Sequence, residues 1–270
     1  MAKKVFVTRL IPHEGLDELK QKGYELTISP QDAPLGKEGL IAALKTGQYD
    51  AVLCDLDDKI TDEILALAQG KIKIFANYAV GYDNIDIAAA QKRGVFVTNT
   101  PGVLTETVAE HTFALMLAIA HRIVEGDKFM RAGQYHGWGP MLLLGNDVFG
   151  KTLGVVGLGR IGSRVAHHAV KGFEMKVLYY DPKRSEEFEK EYGAVFTPNL
   201  DELLKQADFV SVHVPLLPTT HHLIDASKLR LMKKTAYLIN TSRGPIVADK
   251  ALAMAVKQNV INGAEIDVFE

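Results

Sequence analysis

The sequence predicts an α/β fold with two doubly wound parallel-sheet domains. Apolar runs of strand length alternate with helix-length segments over most of the chain, a pattern typical of strands joined by helical crossovers. The chain has 270 residues, which is more than one ordinary hydrophobic core requires. A turn cluster, TNTPG at 98–102, ends the first part of the series. We therefore expect one domain over residues 1–100 and a second over residues 101–270.

Five short apolar runs predict the strands of the first domain. They are VFVT (5–8), YELTIS (24–29), AVLCDL (51–56), IKIFAN (72–77) and VFVTN (95–99). Segments of helix length separate them, at 13–23, 38–47, 61–70 and 84–94. Because each helix returns the chain to the start of the sheet, all five strands are expected to be parallel.

The second domain is predicted to begin with a long helix, roughly 105–131, that is apolar on most faces. Such a helix is buried between domains or against a second subunit. Six strands follow, TLGVVG (152–157), KVLYYD (176–181), AVFT (194–197), DFVSVHVP (208–215), TAYLINT (235–241) and NGAEIDV (262–268). Helices are expected between them at 160–171, 185–192, 199–206, 220–233 and 248–258.

The composition excludes several classes of protein. Hydrophobic residues make up 47% and charged residues 24%, and the net charge of −2 gives no reason to expect nucleic acid or an anionic membrane as a partner. The longest apolar stretch, FALMLAIA at 113–120, is much shorter than a membrane span. Cys54 is the only cysteine, so no intramolecular disulfide can form and a reducing cytoplasm is the expected compartment. Within its apolar strand, Cys54 is interpreted as a core residue.

A glycine motif at the start of the second sheet indicates a dinucleotide site. Gly157, Gly159 and Gly162 form G-x-G-x-x-G between a predicted strand and a predicted helix. The first glycine allows a tight turn, the second allows the backbone to approach a pyrophosphate, and the third allows the helix to pack on the strand. Asp181 ends the next strand, 19 residues after Gly162, where a carboxylate can accept the ribose hydroxyls.

The same segment leaves two interpretations of the cofactor open. Asp181 favours NAD, because a carboxylate repels the 2′-phosphate of NADP. Lys183 and Arg184 follow directly and could hold that phosphate, or they could be solvated charges at the start of a helix. We predict NAD and keep NADP as the alternative.

Arg243 is the candidate catalytic residue. It follows the apolar strand of LINTSRGPIV, at the carboxyl edge where doubly wound sheets bind ligands. A guanidinium there can bind a carboxylate or polarise a carbonyl oxygen. A structural salt bridge is the alternative interpretation.

The chain resembles the D-2-hydroxyacid dehydrogenases. GVVGLGRIG, VSVHVPL, LINTSRGPIV and GAEIDVFE carry the resemblance, and CDLDDKITDEIL, NYAVGYDNID and YHGWGPMLLLG are similar to the glyoxylate (hydroxypyruvate) reductase branch. The resemblance implies a flavodoxin-like substrate domain followed by a Rossmann NAD-binding domain. It also implies hydride transfer to a small 2-oxo acid, glyoxylate or hydroxypyruvate, and a homodimer through the 105–131 helix.

The resemblance assigns roles to individual residues. Arg243 would bind the oxo acid, the backbone N–H groups of Val80 and Gly81 would hold its carboxylate, and Leu56 would pack near it. Asp267 would bond the nicotinamide carboxamide. The residues expected to contact the cofactor are Thr107, Gly157, Leu158, Gly159, Arg160, Ile161, Gly162, Asp181, Val214, Pro215, Thr241, Ser242, Arg243 and Asp267. Trp138 would reach a neighbouring subunit's active site or simply pack in the interface.

The resemblance also implies residues that this sequence does not contain. The family's catalytic Glu matches a position two residues beyond Glu270, and its His lies further on. None of the nine histidines replaces that His by motif: His213 is expected to be strand-end scaffolding, His111 lies on the long helix, and His221–His222 are expected to face solvent. We therefore expect a chain truncated after its sixth strand, without the segment that completes the substrate domain. Its activity is expected to be impaired, by about 10²–10⁴-fold for a missing general acid.

Other functions remain as alternatives. A D-lactate or phosphoglycerate dehydrogenase is the nearest, and a non-catalytic NAD-binding corepressor of the same fold is the alternative from another class. The sequence has no G-x-S-x-G, no H-E-x-x-H and no cysteine cluster, so neither a hydrolase nor a metal site is predicted.

Overall fold

The computed structural model describes residues 2–68 and 70–270 and confirms the predicted α/β fold class. The chain divides into two compact units, Met1–Val103 (unit 1) and Leu104–Glu270 (unit 2). Each unit is built on one sheet of parallel strands with helices in the connections. Among the described residues, no helix combines the length and the apolar character that crossing a membrane would require.

Unit 1 contains five strands and four helices within its described residues. The strands are β1 (Lys4–Val7), β2 (Glu25–Ile28), β3 (Ala51–Cys54), β4 (Ile74–Asn77) and β5 (Phe96–Thr98). The helices are α1 (His13–Gln21), α2 (Gly36–Thr46), α3 (Asp62–Ala66) and α4 (Ile87–Lys92). The sheet order is β2-β1-β3-β4-β5, so the strand order reverses beside β1 and the carboxyl ends of β1, β3 and β4 share one edge.

The core of unit 1 explains these elements. Val52 and Phe75 lie on the central strands with no exposed surface, and Leu40 and Ile64 cover them from α2 and α3. Cys54 is fully buried in the same cluster, as expected for a core residue. Burial raises the pKa of its thiol to about 12, so this cysteine is not a reactive thiolate at neutral pH.

Unit 2 contains six strands and seven α-helices within its described residues. The strands are β6 (Thr152–Val156), β7 (Lys176–Tyr180), β8 (Val195–Phe196), β9 (Phe209–Val212), β10 (Tyr237–Asn240) and β11 (Gly263–Ile266). The helices are α5 (Thr105–Ala120), α6 (Ile123–Arg131), α7 (Arg160–Phe173), α8 (Glu186–Tyr192), α9 (Leu200–Gln206), α10 (Ala226–Leu229) and α11 (Asp249–Lys257), with a 3₁₀ turn at Gly244–Ile246.

The sheet of unit 2 is covered by apolar clusters on both faces. Its order is β11-β10-β9-β6-β7-β8, and every residue of β9 and β10 is buried. One cluster includes Leu203 and Leu252 from the helices, and the other includes Met116 and Val165. Strands buried on both faces read as continuous apolar runs, which is why the sequence predicted them.

The predicted 105–131 helix is wrong in one respect, because it is two helices. α5 ends at Ala120 and α6 begins at Ile123, with Arg122 between them in the left-handed conformation (φ 55°). The carbonyl oxygen of Ala120 accepts a hydrogen bond from the Asn146 N–H at 2.8 Å. That carbonyl therefore bonds a distant segment at the point where the helix is interrupted, and no local sequence signal shows this.

The predicted 220–233 helix is also wrong, because only Ala226–Leu229 is helical. His222 is left-handed (φ 49°), and the Ile224 N–H donates to the carbonyl oxygen of Ile246 in a short parallel bridge. Asp225 then caps the helix by accepting the backbone N–H groups of Ser227 and Lys228. In unit 1, α3 ends at Ala66 rather than extending over 61–70, and Gln69 of that predicted helix lies outside the described residues.

Candidate active site

In unit 1, the predicted substrate residues lie on two loops at the carboxyl edge of the sheet. Leu56 follows β3 and is about half exposed, and Val80 and Gly81 follow β4 and are half-buried. The two strands are direct neighbours in register, so the sheet itself brings the two loops together. This edge is where doubly wound sheets bind ligands.

A pair of buried asparagines connects these loops. Asn77 and Asn84 exchange side-chain hydrogen bonds of 3.1 and 3.2 Å. Asn84 Nδ2 also donates to the carbonyl oxygens of Asp55 and Asp58, and Asn77 Nδ2 donates to that of Gly81 at 2.8 Å. Asn77 is 2% exposed. Because these amides are shielded from water, the bonds hold the loop backbone against large movements.

The turn that follows β5 fixes the peptide planes of the expected carboxylate donors. The Thr100 N–H donates to the carbonyl oxygen of Ala79, and Asn99 Nδ2 donates to that of Val80 at 2.7 Å. In a trans peptide the carbonyl and the next N–H point in opposite directions, so these bonds orient the N–H groups of Val80 and Gly81. Within residues 2–68 and 70–270, neither N–H donates to another group of the protein. They form a pair of preoriented donors available to an anion.

A buried acid supports the first loop from beneath. The Asp58 carboxylate accepts hydrogen bonds from the Thr8 hydroxyl and from the Asp55 N–H, and Asp58 is 3% exposed. Burial raises the pKa of Asp58, and its hydrogen bonds partly oppose that shift. Arg9 lies above the loop and forms ion pairs with Asp55 and Asp57, so its side chain holds the exposed part of the same turn.

In unit 2, the glycine motif forms the tight turn between β6 and α7. Gly157 has φ 98°, and a side chain there would lie 2.9 Å from the backbone of His213 and Val214. A Cβ on Gly162 would overlap the carbonyl oxygen of Gly157, so the helix can pack on the turn only with glycine. At Gly159 the added atom would meet open space, which leaves the backbone accessible to a phosphate. α7 begins at Arg160, so its unpaired N–H groups lie at this turn.

Asp181 lies next to that turn. Its carboxylate accepts a hydrogen bond from the N–H of Leu158 at 2.9 Å and another from the N–H of Lys183 at 2.8 Å. Each oxygen keeps further lone-pair capacity for a ribose hydroxyl. The Arg184 guanidinium is bound by both oxygens of Glu189 at 2.7 and 2.9 Å, and this pairing holds the pKa of Glu189 at about 2. The Arg184 side chain is thus paired with Glu189 of α8, the helix that follows it.

Arg243 lies three residues beyond β10 on a loop organised by Asn240. The side chain of Asn240, 1% exposed, accepts from the Ser242 N–H and hydroxyl and donates to the carbonyl oxygen of Arg243. Its own carbonyl oxygen accepts the Asp267 N–H at 3.0 Å. The side chain and the backbone of one buried residue, Asn240, therefore connect the Arg243 loop to the end of β11. The Arg243 side chain is half-buried and donates to the carbonyl oxygen of Ser242 at 2.8 Å.

α5 closes this part of unit 2. His111 Nε2 lies 3.3 Å from Asp267 Oδ1, and the Thr112 hydroxyl lies 2.9 Å from that of Thr241. Asp267 and Thr107 are exposed, and Thr107 is in the first turn of the helix. The structure thus brings Thr241, Ser242, Arg243 and Asp267 together.

The remaining predicted cofactor residues lie along the carboxyl edge of the same sheet. Val214 is buried against Gly157, whereas Pro215 is exposed. His213 lies 2.7 Å from the Ser211 hydroxyl, and burial lowers the pKa of its imidazole to about 4. A neutral imidazole at this place is consistent with a scaffolding role. Trp138 is 83% exposed on unit 2, and its expected role toward a neighbouring subunit stays a prediction.

Sequence reasoning missed the asparagines that hold these loops. Asn77, Asn99 and Asn240 end or follow apolar runs, and Asn84 lies in the loop between β4 and α4. Each uses its side chain to bond loop backbone. For Asn77, Asn99 and Asn240, the available signal is a polar residue at the carboxyl end of an apolar run. It identifies a residue that needs a partner but does not say which one.

Comparison with known proteins identifies the family of this chain. Residues 113–270 match the family described as D-isomer specific 2-hydroxyacid dehydrogenase, NAD binding domain. A glyoxylate reductase of Korarchaeum cryptofilum (strain OPF8) is 51% identical over 271 residues, covering 100% of this chain and 80% of that protein. The crystal structure of the TT0316 protein of Thermus thermophilus has a TM-score of 0.90 at 41% identity, covering 98% of this chain and 82% of that one.

A third comparison concerns the cofactor. The D-lactate dehydrogenase of Aquifex aeolicus, solved with NAD and lactic acid, has a TM-score of 0.84 at 35% identity, covering 99% of this chain and 77% of that one. The Gly157 turn, the Asp181 carboxylate and the start of α7 fit a dinucleotide, and the prediction of NAD is confirmed. The chain belongs to the D-isomer specific 2-hydroxyacid dehydrogenase family and carries that family's NAD-binding domain.

Proposed function

We propose that this chain takes part in the NAD-dependent reduction of a small 2-oxo acid, glyoxylate or hydroxypyruvate, to the D-2-hydroxy acid. The observation that carries the proposal is the pair of preoriented N–H groups at Val80 and Gly81 in a 2-hydroxyacid dehydrogenase chain. Two adjacent backbone donors suit a carboxylate, because their dipoles are fixed before the anion binds. The 51% identity to a glyoxylate reductase supports the choice of substrate.

Each residue has a defined task in this proposal. NADH supplies the hydride when it is bound. The Arg243 guanidinium donates to the carbonyl oxygen of the oxo acid and stabilises the negative charge that develops there. Leu56 lies beside the substrate and limits its size, and Asp267 accepts from the carboxamide of the cofactor.

The cofactor preference belongs to the same proposal. We infer that NADH binds better than NADPH, because Asp181 would repel a 2′-phosphate and Arg184 is bound by Glu189. Lys183 is exposed beside them and is the residue through which NADPH could still bind.

The test follows NADH fluorescence and absorbance while glyoxylate, hydroxypyruvate or pyruvate is added. We expect glyoxylate or hydroxypyruvate to give the largest response, and a larger response with NADH than with NADPH. Arg243→Ala should reduce the apparent second-order rate by about 10²–10³-fold, as loss of a charge-stabilising donor does. Arg230→Ala, an exposed arginine of the same unit, is the matched control. An unchanged response in Arg243→Ala would refute the role of the guanidinium, and a preference for pyruvate would favour a D-lactate dehydrogenase.

We also propose a homodimer, with α6 and the following segment in the interface. Ile123, Val124 and Met130 on α6, with Trp138 and Met141 after it, are all more than half exposed. An apolar surface of this kind indicates a protein–protein contact. Sedimentation of the native chain and of Val124→Lys should give a dimer and a smaller species, respectively. A monomeric native chain would refute the proposal.

A further inference from the structure

Two histidines and a glutamate meet at the carboxyl end of the unit 2 sheet, in a group that the dehydrogenase reaction does not use. One ligand atom from each of His221, His222 and Glu270 lies within 4.8 Å of the other two. No other three histidine, cysteine or acidic side chains come together in this way in the part of the chain that the structure describes. The sequence predicts no metal site, and both histidines are expected from it to face solvent.

The backbone explains why adjacent histidines share one side of the chain. In an extended segment, neighbouring side chains point in opposite directions. His222 is instead left-handed, with φ 49°, and the ring centroids of His221 and His222 are 4.1 Å apart. The His221 N–H donates to the carbonyl oxygen of Leu217, and the His222 N–H donates to that of Pro245. The backbone of both residues is therefore tied to neighbouring loops.

A glycine allows Glu270 to reach this pair. A side chain on Gly244 would overlap the carbonyl group of Phe269, so the segment after β11 can cross the Gly244 loop only because no Cβ is present. The Glu270 N–H donates to Asp249 Oδ2 at 2.9 Å, which fixes the backbone at this point. The two carboxylate oxygens of Glu270 then lie 3.0 and 3.1 Å from His222 Nε2.

Two imidazoles and a carboxylate form a ligand set that suits zinc. Zn²⁺ binds His nitrogen at about 2.0–2.1 Å and carboxylate oxygen at about 2.0–2.2 Å, usually in tetrahedral geometry. Small rotations of His221 and Glu270, both exposed, would close the remaining separation. Three protein ligands leave the fourth position to water. Mg²⁺ and Ca²⁺ prefer oxygen ligands and fit this set poorly.

We propose that His221, His222 and Glu270 bind one Zn²⁺ ion, which cross-links the segment before α10 to the segment after β11. The alternative occupant is no ion at all, with His222 and Glu270 as a simple ion pair across 3.0 Å. The two interpretations differ in one observable. The ion pair needs only His222 and Glu270, whereas the metal site also requires His221. Binding of an ion by these three side chains requires neither the substrate nor catalysis.

The experiment measures Zn²⁺ binding by calorimetry with the untagged, chelator-treated 270-residue chain. We expect one ion per chain, and binding weakened by about tenfold or more in each of His221→Gln, His222→Asn and Glu270→Gln. Asparagine is chosen at 222 because it tolerates the left-handed conformation. His13→Gln is the matched control, because His13 pairs with Glu14 at 3.5 Å in an exposed segment outside the group.

A second measurement separates a real site from loose surface binding. Co²⁺ added in place of Zn²⁺ should give a visible absorption band of tetrahedral type that His221→Gln abolishes, and Mg²⁺ should not compete. Absence of Zn²⁺ binding by the native chain would overturn the proposal. So would equal binding by native chain, His221→Gln and Glu270→Gln, because the ion would then lie elsewhere.

Discussion

Each unit has loop backbone at the carboxyl edge of a parallel sheet that is proposed to bind a ligand, and the two units position this backbone in different ways. In unit 1 the loops after β3 and β4 are held by the side chains of Asn77, Asn84 and Asn99. In unit 2 the turn after β6 is held by the absence of side chains at Gly157 and Gly162. The loops of unit 1 are held by side-chain hydrogen bonds to their backbone. The turn of unit 2 is held by direct packing of the helix against the turn, which a side chain at either glycine would prevent.

The largest loss of stability is expected from a substitution in the asparagine pair of unit 1. Asn77→Ala removes the bonds to Gly81 and Asn84 and leaves buried polar groups without partners. The free energy of unfolding should fall by about 2–4 kcal/mol, measured by denaturant titration. Gln91→Ala, an exposed amide on α4 of the same unit, should change it little. If Asn77→Ala were as stable as Gln91→Ala, side-chain amides would not hold these loops.

The next largest loss of stability is expected from a substitution at the close glycine contact of unit 2. Gly162→Ala places a methyl group against the carbonyl oxygen of Gly157, so the start of α7 must move. We expect a loss of about 1–3 kcal/mol in stability, as for overpacked sites, together with weaker NADH binding in a fluorescence titration. Gly172→Ala on the same helix meets open space and should be neutral or stabilising. Normal NADH binding by Gly162→Ala would show that close packing at this turn is dispensable.

The pH dependence of stability should distinguish the units. Burial lowers the pKa of His213 in unit 2 to about 4, below its usual 6.5, so the unfolded chain binds more protons between these values. The contribution of His213 to the free energy of unfolding is fully present above pH 6.5. It should fall by about 2 kcal/mol between pH 7 and pH 5. Denaturation of His213→Gln over this range should show a smaller fall, with the exposed His136→Gln as control.

Asp58 in unit 1 should make stability change with pH in the opposite direction. Burial raises the pKa of its carboxyl group above 3.8, so the folded chain holds the proton more tightly and protonation favours folding as the pH falls. Asp58→Asn removes this gain, and its stability relative to the native chain should be higher at neutral pH than at acidic pH. If both substitutions changed the pH profile in the same direction, this contrast between the units would be wrong.

The smallest effect concerns the cofactor turn. Arg184→Gln breaks an exposed pair with Glu189, and exposed pairs contribute little to stability. We expect unfolding and the ratio of NADH to NADPH affinity to change little, whereas Lys183→Gln should weaken NADPH selectively. A selective loss of NADPH binding in Arg184→Gln would show that this guanidinium leaves Glu189 to bind a phosphate.

Local patterns were enough to predict most of the fold and the dinucleotide turn. The apolar runs identified the eleven strands found among the described residues, and the spacing of Gly157, Gly159 and Gly162 identified the turn before α7. Local patterns failed where a distant segment competes for the backbone. Ala120 bonds Asn146, and Ile224 bonds Ile246, so the predicted helices at these places are interrupted. The roles of the predicted substrate and cofactor residues remain predictions for the experiments above.

By itself, the sequence determined the two parallel sheets and the glycine turn, because strand periodicity and the steric freedom of glycine act over a few residues. The tertiary structure alone decided the partners of the polar side chains. Asn84 bonds Asp55, which is 29 positions away in the sequence, and His222 bonds Glu270, which is 48 positions away. The order of strands in each sheet brings these distant residues together. A hydrogen bond requires proximity in space, and proximity between distant residues exists only after the sheet has formed.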